Sequence, residues 1–299
     1  MSQQGIPSRT IPDPFRFAAD GRSLVGEVAV ALPLLVLHVG SGVSVAMRDN
    51  GDFVVAWSRH VMREARSGEI VAVQTHTTSI HARSFAADGS PLSDEVQVHS
   101  GLPAITLTGG LPNATPAVAM DASGRYVVSW TLREQGRSSV HMRGFSLTGE
   151  ASGPQQRVSP LLDAFAREPA IAMTPFGDFA IAWTGPSGGE SNSGIYARKY
   201  AAGGTALSQA IATENVVPAV GAQMATSVAI ADDGGFAVSW LGRSAAAGGG
   251  TRIDVVLQCF DAAGQLACPP RVVPEPDGAP RQRPSITSLG GQRFGIVWQ

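Results

Sequence analysis

Residues 43–57 read VSVAMRDNGDFVVAW, and four later stretches repeat the pattern. They are AVAMDASGRYVVSW at 117–130, AIAMTPFGDFAIAW at 170–183, SVAIADDGGFAVSW at 227–240 and SITSLGGQRFGIVW at 285–298. An aromatic stands four residues before each Trp: Phe53, Tyr126, Phe179, Phe236 and Phe294. A Gly stands two before the aromatic in the first four copies, at Gly51, Gly124, Gly177 and Gly234; the fifth has Gln292 there, after Gly290 and Gly291. The pattern takes up all 5 tryptophans of the chain. Each copy reads as two strands about a tight turn. The first strand is short, small and alternating. The turn carries Asp, Asn and Gly, which tolerate positive φ. The second strand is β-branched and aromatic, and period two puts Phe53, Val55 and Trp57 on one face.

A second pattern follows each of the first four copies: IHARSFAADGSPLSDEVQV at 80–98, VHMRGFSLTGEASGPQQRV at 140–158, IYARKYAAGGTALSQAIAT at 195–213 and VVLQCFDAAGQLACPPRVV at 255–273. An aromatic precedes a Gly by four each time: Phe85 and Gly89, Phe145 and Gly149, Tyr200 and Gly204, Phe260 and Gly264. This is a second hairpin, so a full repeat holds four strands. The fifth repeat stops after its first hairpin, at Gln299. The N-terminal stretch FRFAADGRSLVGEVAV at 15–30 supplies the other half, with Phe17, Gly21 and Glu27 at the offsets of Phe85, Gly89 and Glu95. A unit split between the two ends is what a circular array needs to close. The reading is an all-β, five-bladed β-propeller of four-stranded blades, its last blade closed by N- and C-terminal strands. Residues 1–299 form a single domain in this reading, with blades at about 41–100, 114–160, 168–215, 225–275, and 283–299 plus 12–32. An open or larger array is the competing arrangement.

The motif resembles tandem repeats of bacterial secreted or surface proteins, in which a glycine-aromatic-valine-valine-tryptophan strand precedes an aromatic-alanine-arginine-phenylalanine strand and a glycine turn. DDGGFAVSW at 232–240 and IYARKYAAGG at 195–204 come nearest. The resemblance implies an extracellular or surface location and carries no catalytic residue with it. Five-bladed folds also include arabinanase-like glycosidases and some lectins, an analogy of fold alone.

Composition narrows the function classes. Of 299 residues, 35 are Gly and 20 are Pro, a turn-rich balance. Net charge is -2, with Lys199 the one lysine, so no basic field exists for nucleic acid or an anionic membrane. The most apolar run, Val28 to Val39, contains Pro33 and is too short to span a bilayer. No signal peptide is visible in MSQQGIPSRTIPDP.

Short hairpin turns gather on one end of the ring. The other end carries second-to-third loops, expected over 58–79, 131–139, 184–194 and 241–254, and the connections between blades. Variable loops on a repeated scaffold are where function is grafted. Residues entering the first strands should rim the channel there: Ser41, Thr115, Arg167, Glu168, Gln223, Gln282 and Arg283. Arg167, Glu168, Gln223, Gln282 and Arg283 are the candidate ligand-binding residues, suited to a polar or anionic ligand. Two arginines are the foremost anchors, Arg167 and Arg283.

Glycoside hydrolysis needs two carboxylates across the substrate, and Glu168 alone stands at a strand entrance. Asp49, Asp121 and Asp232 sit in the opposite turns as turn formers. His81 and His141 share one repeat position, the mark of a structural slot. His60 and His76 share the longest loop, without a metal-ligand spacing. Arg83, Arg143 and Arg198 also recur at one position, pointing to packing and carbonyl bonding. Cys259 and Cys268 flank one turn, and free thiols are the preferred reading over a cross-strand disulfide. The expectation is therefore a monomeric, non-catalytic, lectin-like module for a carbohydrate, protein or small polar ligand, with no cofactor and no metal. A propeller glycosidase or other hydrolase with its site in the channel is the alternative.

Overall fold

The computed structural model describes residues 42–67, 70–99, 105–106, 115–134, 137–160, 165–186, 193–209, 211–212, 224–245, 251–273 and 283–299. Its strands are β1 (Val43–Met47), β2 (Phe53–Ser67), β3 (Ile70–Phe85), β4 (Val96–His99) and β5 (Ile105–Thr106) in blade 1. Blade 2 holds β6 (Ala117–Met120), β7 (Tyr126–Glu134), β8 (Arg137–Phe145) and β9 (Gln156–Arg157). Blade 3 holds β10 (Arg167–Met173), β11 (Phe179–Pro186), β12 (Ser193–Tyr200) and β13 (Ile211–Ala212). Blade 4 holds β14 (Met224–Ile230), β15 (Phe236–Ala245), β16 (Thr251–Phe260) and β17 (Leu266–Val272), and blade 5 holds β18 (Ser285–Ser288) and β19 (Phe294–Val297). Each sheet is an antiparallel meander in chain order, with β5 added beside β3. The first strands pack in succession, β1 on β6, β6 on β10, β10 on β14 and β14 on β18. This is the five-bladed propeller. The expected N-terminal half-blade lies outside the described residues.

The repeated aromatics fix each blade. The residue that opens the second strand pairs in register with the residue that closes the third: Phe53 with Phe85, Tyr126 with Phe145, Phe179 with Tyr200, Phe236 with Phe260. Their rings stack with centroids 4.7–5.4 Å apart, a spacing at which aromatic pairs attract. Trp130, Trp183 and Trp240 bury against the preceding blade. Trp130 and Tyr126 of blade 2 share one core with Val54, Ala56 and Ile80 of blade 1, and Trp240 of blade 4 shares another with Ala180 and Ala182 of blade 3. His81 and His141 occupy the structural slot read from the repeat. They stack on Trp57 and Trp130 at 5.8 and 6.1 Å, and Tyr196 takes the same place on Trp183. Trp130 also carries His99 of blade 1, at 5.7 Å. The recurring arginines bond carbonyls: Arg83 Nε donates to Ser93 O and Arg143 Nε to Gly153 O, each at 3.0 Å. Arg198 Nη1 donates to Val158 O of blade 2 at 2.8 Å.

Two expectations need correction. The second-to-third connections are not loops over 58–79, 131–139, 184–194 and 241–254. The strands run into these ranges, β2 to Ser67 and β3 from Ile70, β7 to Glu134 and β8 from Arg137, β11 to Pro186 and β12 from Ser193, β15 to Ala245 and β16 from Thr251. β2 and β3 stay in register from Phe53 opposite Phe85 out to Ser67 opposite Ile70. His60 lies opposite Thr78 and His76 opposite Met62 along this arm. Second, Cys259 and Cys268 form a disulfide. They face each other directly in the β16–β17 ladder, with Cα atoms 5.0 Å apart, within bridging distance.

Candidate functional site

The first hairpin of every blade turns on the end of the ring carrying Gly51, Gly124, Gly177 and Gly234. The first strands therefore start on the other end, among the connections between blades. Register places five residues at equivalent entry positions there: Gly42, Thr115, Glu168, Ala225 and Arg283. Four of them have left-handed backbones, with φ of 88° at Gly42, 55° at Glu168, 55° at Ala225 and 48° at Arg283. In blades 3 and 4 the kink interrupts the ladder as a β-bulge, between Arg167 and Ala170 and between Met224 and Ser227. A bulge re-aims the side chains beside it.

Neighbouring blades hold these entries in place. The Glu168 N–H donates to Thr131 Oγ1 of blade 2 at 3.1 Å. Further into the strands, Ser44 Oγ accepts the Val118 N–H at 3.1 Å, and Ser227 Oγ accepts the Ile286 N–H at 3.2 Å. A Cβ at Gly42 would lie 2.7 Å from Thr115 Cγ2, so the first entry must be glycine and the ring is tight. A left-handed conformation is natural for that glycine. For Glu168, Ala225 and Arg283 it costs about 1–2 kcal/mol each, and such strain gathers at functional sites.

The sequence-expected site is partly assembled by this ring. Arg167 and Glu168 lie side by side, Nε to Oε1 at 4.0 Å, with both side chains close to half exposed. Arg283 stands two entries further round, past Ala225. Gln223 and Gln282 lie outside the described residues, as does Ser41. The described first strands are otherwise small or apolar, so Glu168 is their one carboxylate. Among the described residues no group of three or more His, Cys, Asp or Glu side chains could hold a metal ion. Of the turn aspartates, Asp121 plays the structural part expected of it, its Oδ1 accepting the Ser123 and Arg125 N–H groups at 2.9 and 3.0 Å; in the fourth blade's turn it is Asp233, not Asp232, that accepts a backbone N–H, from Gly235.

The left-handed entries were missed in the sequence. Glu168 and Arg283 precede Pro169 and Pro284, a context that favours extended backbone. The usable signal was Gly42, the one copy in which the position is filled by the residue that positive φ prefers.

No family model matches the chain, and no curated relative does. Solved structures share its fold. An α-L-arabinofuranosidase variant from Fusarium graminearum, bound to an iminosugar inhibitor, aligns at TM-score 0.53 and 14% identity over 87% of this chain and 74% of that one. An α-L-arabinanase from Penicillium chrysogenum, complexed with arabinobiose, aligns at TM-score 0.53 and 11% identity over 98% of this chain and 80% of that one. At such identities the likeness establishes the propeller. The expectation of a non-catalytic, lectin-like module is corrected by these matches, because the matched propellers are glycosidases.

Proposed function

We propose that the protein is a carbohydrate-acting propeller of the glycoside hydrolase kind, with its site at the loop-bearing mouth of the central channel. The observation that carries this reading is the presence of Glu168 and Arg283 in left-handed conformations at the channel entrance, where glycine would sit without strain. Glu168 is the carboxylate that exchanges a proton with the glycosidic oxygen. Arg167 and Arg283 hold sugar hydroxyls as fixed donors, and Gln223 and Gln282, outside the described residues, are the further candidates. Hydrolysis needs a second carboxylate across the bond. In this reading it comes from Asp163, Glu214, Glu275 or Asp277, which lie outside the described residues. The matched arabinan-acting structures make arabinose-containing glycans the first substrates to try.

The Cys259–Cys268 disulfide supports an oxidising, extracellular or surface location, in keeping with the repeat's resemblance to bacterial secreted and surface proteins. No helix of the described residues is long and apolar enough to cross a membrane. The test is release of reducing ends from arabinan, arabinobiose and a panel of other plant and bacterial glycans, with Glu168→Gln as the control. The expected result is turnover by the natural protein and a loss of at least about a hundredfold in the variant, the scale of one acid–base group. Turnover that Glu168→Gln leaves intact removes Glu168 from the chemistry, and no turnover on any glycan removes the reading.

A further inference from the structure

The four complete repeats share a slot at the blade edge, made by a residue one before the third strand's closing aromatic and another nine residues on. In blade 1 these are Ser84 and Ser93: Ser84 N–H donates to Ser93 Oγ at 3.1 Å, and Ser84 Oγ reaches Leu147 O of blade 2. In blade 3 they are Lys199 and Ser208. Lys199 N–H donates to Ser208 Oγ at 3.1 Å, and its ammonium donates to Gly234 O and Ala262 O of blade 4 at 2.6 and 2.7 Å. In blade 4 they are the disulfide pair Cys259 and Cys268. Blade 2 has Gly144 and Gly153, so both side chains are missing at the seam with blade 3.

A cavity of about 190 Å³ lies at that seam, and both glycines are in its wall. Its apolar lining comes from Val127, Met142, Met173 and Phe179. Across the seam stand Gly177 and Ala202, the repeat counterparts of Gly234 and Ala262, whose carbonyls hold the lysine one seam further on. Arg125 closes the rim. Its Nε is bound to Asp121 Oδ2 at 2.8 Å, and its Nη2 lies 3.0 Å from where a Cβ of Gly177 would be. The cavity thus offers carbonyl acceptors and guanidinium donors beside an apolar floor. An ammonium would meet Arg125 and Arg143, and an anion would meet the carbonyls and Asp121, while Arg125 is already paired to Asp121 and Arg143 to Gly153 O. A neutral polyhydroxyl meets neither penalty, since each hydroxyl both donates and accepts and the carbon face of the ring covers Val127 and Met173.

We propose that the seam between blades 2 and 3 is a second sugar-binding site, for one neutral monosaccharide unit, on the opposite end of the ring from the channel mouth. It shares with the hydrolase reading only the ligand class. The two glycines are not in left-handed conformations, and a Cβ at Gly144 would meet its neighbours at 3.6 Å or more, while one at Gly153 would meet nothing within 4 Å. Gly144→Ser/Gly153→Ser therefore rebuilds the slot of blade 1 without straining the fold.

The experiment is ¹³C-methyl methionine NMR of the full chain, titrated with L-arabinose, D-xylose and D-galactose at millimolar concentrations. Saturable shifts of the Met142 and Met173 methyls are expected, unchanged in Glu168→Gln and at least tenfold weaker in Gly144→Ser/Gly153→Ser. Two charged probes, lysine and inorganic phosphate, should leave both methyls in place. No shift with any sugar, shifts that survive the double substitution, or a response to a charged probe in place of the sugars would each overturn the proposal. Loss of glycan turnover in Glu168→Gln bears on the channel alone, so the two readings fail separately.

Discussion

Replacing Glu168 by glycine should make the protein more stable while disabling it. The left-handed backbone at φ 55° costs an L-residue about 1–2 kcal/mol, which glycine does not incur. Glycine also loosens the unfolded chain, which takes back about 0.4–1 kcal/mol. Removing the side chain itself costs little. The hydrogen bond to Thr131 Oγ1 comes from the backbone N–H and survives the change. The Arg167 partner is 4.0 Å away and exposed, a kind of pair that contributes little. The net gain is about 0.5–1 kcal/mol, and Arg283→Gly, at φ 48°, should add a similar amount. Together they should raise Tm by about 2–6 °C, as read by differential scanning calorimetry. Glycan turnover should vanish in the same double variant. A Tm that falls in either single glycine variant would refute the reasoning, because it would show that the side chains stabilise the entry and carry no strain.

Other outcomes follow from the blade interfaces. Trp130→Ala should destabilise the fold by about 3–5 kcal/mol in chemical denaturation, since the ring is 1% exposed and lies between His99 and His141. Lys199→Met should cost about 1–3 kcal/mol by leaving the Gly234 and Ala262 carbonyls without their donor; an unchanged denaturation midpoint would show that the ammonium is dispensable. Burial, aided by Arg157 and His99, pulls the His141 pKa down to about 4. The unfolded chain takes up that proton near pH 6.5, so stability is full above 6.5 and falls as the pH drops from there toward 4, by up to about 3 kcal/mol. In His141→Gln this acid-side slope should flatten, as measured by urea midpoints at pH 7, 5.5 and 4.5.

The ring was legible because its information is repeated. Each Trp and the aromatic four residues before it occur at every blade, and the cross-strand pairing of Phe53 with Phe85 has the same form as that of Phe236 with Phe260. What escaped the sequence lies outside the repeated Trp and glycine motifs. The long β2–β3 arm depends on cross-strand register far from the Trp, where the repeat has ended. The disulfide depends on a one-residue register in the β16–β17 ladder, although the nine-residue spacing of Ser84 and Ser93 marks the same slot. The entry conformations of Glu168 and Arg283 run against the preference of residues before proline, and only their alignment with Gly42 exposes them. Topology therefore names the entry positions, and the sequence alone does not give their backbone geometry.

The central claim, a sugar-processing centre at the channel mouth built on Glu168, is tested most directly by a crystal structure of the protein with an arabinose-configured iminosugar. Such an inhibitor carries a cation where a glycosyl transition state develops positive charge, and a catalytic carboxylate holds it. The account predicts the inhibitor at the entry ring, its nitrogen within hydrogen-bond distance of Glu168 and its hydroxyls on Arg167 or Arg283. An empty mouth at saturating inhibitor, or an inhibitor bound there with Glu168 turned away, would contradict it.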